Sequence, residues 1–324
     1  MSLACRGLWS LAFVTLACGA GCTVNQSSDA DRFREAIPTQ QEVALSVPGG
    51  SDGTTIGKRS AGLGVRTNGA GGNAQYYQFT RDVTGAVDLT TGVILGGIWA
   101  IVNTEPTSLE DKKAVWGPGS GNALEPAVWR FTVTEVGDAE YDYALEGQPK
   151  SGGEWLAVLK GHGWGKSSPK HRQGWFEADN DAYKKLEPTR GKDEGTTKIT
   201  YDLQKLPATI AVELRPEPAK GSLDVKVVHE SDGAGSVDIA GTTDVSDAKD
   251  TALETVHLVS KWNATGAGRG DISISGGDLP AEIPSVTASE CWSATFQRVY
   301  YKDSVDFEPP EGEESACAVS ASQL

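Results

Sequence analysis

The chain of 324 residues lacks the short motifs that mark the commonest enzyme chemistries. It has no H-E-x-x-H zinc pair, no glycine-rich phosphate loop and no C-x-x-C. Those absences remove the best-marked routes to zinc hydrolysis, nucleotide binding and thiol redox work. Positive charge is also short. There are 29 Lys and Arg against 44 Asp and Glu, a formal net charge of −15. Nucleic-acid binding needs a Lys/Arg-rich face, and docking on anionic lipid needs the same. The acidic balance instead reads as a solvated surface that keeps the body soluble. Cysteine is nearly absent from the body: of five, only Cys291 and Cys317 lie beyond the first 22 residues.

What the N-terminus does contain is specific. "LWSLAFVTLA" (Leu8–Ala17) is a ten-residue apolar run, and Arg6 is the only charge before Asp29. That is the length of a secretory h-region and too short for a membrane-spanning helix, which needs about 20 apolar residues. Small residues and two cysteines follow. Cys18 is preceded by Thr15-Leu16-Ala17 and Cys22 by Gly19-Ala20-Gly21. The pattern is that of a bacterial lipoprotein signal, residues 1–17, ending at an acylated cysteine. Cys18 is favoured because the apolar run reaches it, and Cys22 is the alternative. Acyl chains would partition into a membrane at about 0.8 kcal/mol per buried CH₂. Outside the cytoplasm, the leftover Cys291 and Cys317 read as a disulfide. No histidine or further cysteine near either suggests a metal.

Residues 18–75 are rich in Gly, Ser and Asp and read as a tether with one short helix. That helix would lie in "SDADRFREAIP", capped by Ser28 or Asp29 and stopped by Pro38. "EVALSVPGG" reads as a short strand ended by Pro48. From Tyr76 to about Asn103, Phe79, Val83, Val87, Val93, Ile94, Ile98 and Val102 recur at helical spacing. We expect a helix buried in the fold. Membrane insertion or two buried strands are the alternatives, the first opposed by Asp82 and Asp88.

Beyond it the pattern turns to period two. "WRFTVTEV", "YDYALEG", "TTKITYDL", "SLDVKVVHE", "ETVHLVSKW" and others give about ten strands joined mostly by short turns. Residues 76–324 thus read as one mainly β (α+β) domain. We expect a large curved antiparallel meander, barrel or half-barrel, packed on the apolar helix, with a two-sheet sandwich as the alternative.

Several phrases together resemble an uncharacterised family of predicted bacterial lipoproteins of myxobacterial type. They are "FREAIP", "AVWGPGSGNALEPAVWRFTVTEV", "YDYALEGQPK", "LKGHGWGKS", "GWFEADNDAY" and "ECWSATFQRVYYKDSVDFEP". The resemblance covers nearly the whole mature chain. It implies an exported lipoprotein and transfers no catalytic residue.

Candidate chemistry in the body is thin. "GHGWGKSSPKHRQGWF" holds His162 and His171, nine residues apart in what reads as a loop. With Asp179 or Asp181 they would make a hydrolase, the alternative to a non-enzymatic binding or structural module. Asp179-Asn180-Asp181 lacks the spacing of a calcium loop and reads as the cap of a helix over Ala182–Leu186. His229 and His257 read as solvent-facing residues at or near strand ends. "GRGD" at Gly268–Asp271 enters a strand and would not project. Trp129, Trp155 and Trp292 read as strand residues, and Trp116, Trp164 and Trp175 as residues in or beside loops. Exposed tryptophans can serve as platforms for a sugar or an amphiphile. The sequence therefore points to a lipid-anchored protein of the bacterial envelope, at the outer membrane. Its partners would be the membrane itself and a small apolar or sugar ligand, with no cofactor.

Overall fold

The computed structural model describes residues 28–49, 72–121, 125–189, 194–216, 221–245 and 252–324. The signal region with Cys18 and Cys22 lies outside them. The described chain is mainly β. It opens with helix α1 (Ser28–Arg34) and the long helix α2 (Gln75–Val102). Strands β1 (Ser108–Glu110), β2 (Lys113–Gly119), β3 (Ala127–Gly137), β4 (Glu140–Pro149), β5 (Leu156–Trp164) and β6 (Gln173–Asp179) follow. A short helix, α3 (Asn180–Leu186), leads to β7 (Thr196–Asp202). The run closes with β8 (Ala208–Arg215), β9 (Ser222–His229), β10 (Gly235–Thr243), β11 (Glu254–Trp262), β12 (Gly268–Gly276), β13 (Ser285–Trp292) and β14 (Arg298–Asp303). The sheet order is the chain order from β1 to β14, an antiparallel meander that does not close. The expected meander with one apolar helix is therefore present, as one sheet and with fourteen strands instead of about ten.

The chain divides into two compact units. One holds Leu45–Val87 and Leu206–Leu324, the other residues 28–44 and Asp88–Lys205. In the second, alternation does the work expected of it. Phe131 and Val133 of β3 turn inward with Tyr141, Tyr143 and Leu145 of β4, and all are buried. Phe176, Ile199 and Tyr201 extend that core. The stretch expected to be tether joins it: Phe33, Ala36, Ile37 and Val43 are buried, and Phe33 meets Tyr141 edge-on at 5.8 Å. No strand forms at residues 42–49. Val43 and Leu45 alternate in burial as a strand would, but the backbone turns, with Glu42 N–H donating to Thr39 O at 3.2 Å. Three tryptophans expected in or beside loops lie in strands: Trp116 in β2, Trp164 at the end of β5 and Trp175 in β6. Trp155 instead precedes β5.

Helix α2 runs across the division of the chain, residues 75–87 in the first unit and 88–102 in the second. It is long and apolar enough to cross a membrane by length and composition. Its buried stripe is Tyr77, Thr80, Thr84, Val87, Thr91, Ile94, Ile98 and Val102, a regular three-four spacing. Threonine can occupy that stripe because its hydroxyl bonds the preceding turn. Thr80 Oγ1 donates to Tyr76 O at 2.8 Å and Thr84 Oγ1 to Thr80 O at 2.9 Å. Phe79, Val83 and Val93, expected on the buried face, are only partly covered, and Leu89 is 47% exposed.

In the first unit, Thr80 meets Ser260 of β11 at 2.7 Å. Tyr77 stacks on Phe296 at 4.3 Å and lies 5.8 Å from Trp292. The N-terminus of the helix sits on a buried carboxylate: Gln75 N–H and Tyr76 N–H donate to the two oxygens of Glu290 at 2.9 and 2.7 Å. That satisfies two of the donors a helix start leaves open and places negative charge at the positive end of its dipole. Burial nevertheless pushes the Glu290 carboxyl up to about 7, against the lowering effect of those two N–H bonds and of Arg298. Arg298 bonds Glu308 and Glu311, each at 2.8 Å. Cys291 and Cys317 are joined by a disulfide, as expected, which ties the C-terminal segment to β13.

Candidate functional site

A cavity of about 390 Å³ opens in the second unit. Four stretches remote in sequence build it: α1 with the residues after it, the end of α2, the ends of β5 to β7, and the loop 165–172. Arg34 holds the first two together. Its Nε donates to Val102 O at 2.6 Å and its terminal nitrogens to Thr104 O and to Asp31, at 3.0 and 2.7 Å. A guanidinium on the last carbonyls of a helix satisfies acceptors the helix cannot fill and suits the negative end of its dipole. Trp99, one turn back, donates its indole N–H to Pro38 O at 3.0 Å. Glu35 then reaches the loop, accepting from Lys166 N–H at 3.2 Å and pairing with Lys166 Nζ at 3.2 Å.

The glycines of "GHGWG" and "QGWF" have a specific purpose here. Gly161 and Gly163 alternate inward along β5 while His162 and Trp164 take the other face. A Cβ at Gly161 would overlap the ring of Tyr143. One at Gly163 would overlap Ala36 O, and one at Gly174 would lie 2.5 Å from Tyr201 Oη. The bare backbone is what lets two tyrosines and the loop after α1 settle on the sheet. Tyr201 is only 4% exposed, and its ring ends against the cavity. Burial, and secondarily the charge of Glu42, raise its hydroxyl above the ordinary tyrosine range, so it stays a neutral donor.

The structure does not assemble the residues proposed for a hydrolase. His162 lies in β5 rather than a loop. Its Nδ1 is 2.7 Å from Asp142 Oδ1 and its Nε2 is 3.2 Å from Glu140 Oε1, so both nitrogens already hold carboxylates. His171 does lie in the loop, where its Nδ1–H donates to Trp164 O at 3.2 Å. Asp179 is the N-cap of α3, accepting from Ala182 N–H at 2.8 Å, as expected, and α3 begins at Asn180. Asp181 accepts from Gly195 N–H at 3.1 Å. Neither aspartate touches either histidine. Among the described residues there is no group of three or more His, Cys, Asp or Glu that could hold a metal.

The other sequence candidates settle as structure. His257 bonds Asp238 at 2.9 Å on the outside of the sheet. Arg269 of "GRGD" is buried and held by Asp271, Glu314 and Ser289 at 2.8, 2.7 and 3.1 Å, so it cannot project. His229 lines a more open cavity of about 460 Å³ in the first unit, with Trp262, Thr265 and Phe296. Partial burial lowers its pKa, which favours the neutral ring there. Tyr201, Trp99 and Arg34 were invisible as a site in the sequence, because nothing in the spacing of residues 34, 99 and 201 links them. No protein-family model, no curated protein and no solved structure matches the chain.

Proposed function

We propose that this chain is an exported lipoprotein of the bacterial envelope whose β body binds a ligand rather than transforming one. The observation that carries the reading is the N-terminal run Leu8–Ala17 ending in small residues and Cys18 or Cys22. Two features support it. Cys291 and Cys317 are paired, which suits an oxidising compartment outside the cytoplasm. The histidines that would serve a hydrolase are engaged with Asp142, Glu140 and Trp164 O, leaving no nucleophile–base pair among them. The acyl chains would hold the body at the outer membrane, and the cavity beside Trp99 and Tyr201 is its binding site.

Intact-mass analysis of the chain produced in a bacterium with a lipoprotein pathway tests the anchor. The expected mature N-terminus is an acylated Cys18, and Cys18→Ala should leave the chain unprocessed. Acylation that persists in that variant and vanishes in Cys22→Ala would move the anchor to Cys22. An unacylated mature chain would remove the reading altogether.

A further inference from the structure

We propose that the cavity beside Tyr201 is a site for a neutral saccharide, with the Tyr201 hydroxyl as its buried specificity-determining donor. This deepens the binding role proposed above and rests on it. Three observations choose the ligand class.

The first is an unused polar group. Tyr201 is 4% exposed, lines the cavity, and its hydroxyl makes no hydrogen bond among the described residues. Buried hydroxyls nearly always find a partner, and one left open toward a cavity is a place where a ligand oxygen gains a bond that water would otherwise supply. Tyr201 is not held there by accident of packing. Gly174 leaves the space its oxygen needs.

The second is the charge balance. The cavity wall carries three fixed cations and three carboxylates. They face one another in pairs: Arg34 with Asp31 at 2.7 Å, Lys166 with Glu35 at 3.2 Å, and Arg172 with Glu42 at 3.9 Å. An anion would have to displace a carboxylate from its cation, and a cation the reverse. An acyl chain would strip water from six charged groups for no compensating bond. A neutral polar ligand meets neither cost.

The third is the remaining wall. Trp99, whose indole N–H is given to Pro38 O, lines the cavity together with His171, Trp164 and Gln173, the last holding Asp202 and Gln204 through its amide N–H groups. The Nδ1–H of His171 is already given to Trp164 O, which leaves Nε2 as the nitrogen a ligand would meet. A few directed donors and acceptors set among aromatic surface suit a hydroxylated ring, which has an apolar C–H face and a polar rim. The volume of about 390 Å³ lies within the ~300–1,000 Å³ range of small-ligand sites.

The test uses the full acylated chain in a zwitterionic detergent with no sugar headgroup. Saturation-transfer NMR is run with glucose, maltose, N-acetylglucosamine and its β-1,4 dimer. At least one should receive saturation. Its affinity should fall about three- to tenfold in Tyr201→Phe, the worth of one hydrogen bond to a neutral partner. The same affinity should hold between low and high salt, since no net charge is engaged. The Tyr201→Phe chain removes no internal bond, so its unfolding midpoint should match the parent and a lost fold cannot mimic the result. The proposal is overturned if none of the four sugars binds, if the variant binds them equally well, or if acetate or inorganic phosphate displaces the bound sugar. Intact mass on the same sample reports acylation independently. An acylated chain that ignores sugars sinks this inference alone, whereas a sugar-binding chain without acylation sinks the anchor alone.

Discussion

Replacing Glu290 by Gln should make the protein more tolerant of alkaline conditions, and the size of the effect follows from the site. Glu290 is fully buried beneath the first turn of α2, and its carboxyl is raised to about 7 from an ordinary 4.5. The folded state therefore holds a proton that the unfolded chain releases between those two values. A carboxyl of this kind contributes stability that is complete below pH 4.5 and is lost as pH rises through 7. At 1.36 kcal/mol per pKa unit, the gap corresponds to about 3 kcal/mol, with a slope of at most about 1.4 kcal/mol per pH unit inside the window. Glutamine cannot ionise. It keeps one acceptor for Gln75 N–H or Tyr76 N–H and gives up the other, a pH-independent cost of about 1–2 kcal/mol. The stability of Glu290→Gln relative to the parent should therefore climb by about 3 kcal/mol from pH 4.5 to pH 8. Urea unfolding followed by tryptophan fluorescence at closely spaced pH values measures that difference and cancels the other titrating groups. A difference that stays flat across the window, or that falls as pH rises, would refute the argument and mean that the two N–H bonds and Arg298 outweigh burial.

Other perturbations have calculable outcomes. Converting both Cys291 and Cys317 to Ala opens a loop with a sequence separation of 26 and should cost about 3–4 kcal/mol in urea unfolding; a loss under 1 would indict the chain-entropy account. Arg298→Met removes the cation paired with the buried Glu308, whose side chain is 3% exposed and keeps only the Gln75 amide as a partner, and should cost about 3–5 kcal/mol, most of it recovered when Glu308→Leu is added. Two glycines should answer with opposite signs in thermal melts. Gly161→Val forces a branched side chain into the Tyr143 ring and should destabilise by about 1–3 kcal/mol. Gly96→Ala meets nothing within 4 Å inside α2 and should stabilise by about 0.5–1 kcal/mol.

How much of this was readable in advance depended on whether a residue's role is local. The strands around Trp129 to Leu145 were readable because their alternation matches a one-sided sheet. The extent of α2 was readable from its period and from Asn103 and Pro106 after it. Its buried face was not, because Thr80 and Thr84 hide their hydroxyls in the helix backbone or against Ser260 and so fill positions that hydropathy assigns to Val. "GHGWG" read as a loop for a related reason. The bulk that completes β5 belongs to Tyr143 and to the loop after α1, so the strand lacks the side chains that would have marked it. The cavity was hidden more deeply. Arg34, Trp99 and Tyr201 come together only once the meander and α2 are in place, and no short-range pattern encodes that meeting. The sequence candidates His162 and His171 were noticed for their chemistry, but geometry gave them to neighbouring carboxylates and a carbonyl.

The position of Glu290 also orders events in time. Emergence from the N-terminus delivers α2 early, yet the carboxylate that meets its first turn arrives 215 residues later, on the next-to-last strand. Each strand's partners are its neighbours in the chain, so hairpins can accrete one at a time as the chain emerges, at little loop-closure cost. The start of α2 must wait through that whole accretion with its N–H groups served by water. Arrival of the last strands is thus registered at the beginning of the fold. A chain truncated before β13 can lay down most of its sheet and still lack the group that locks its longest helix in place.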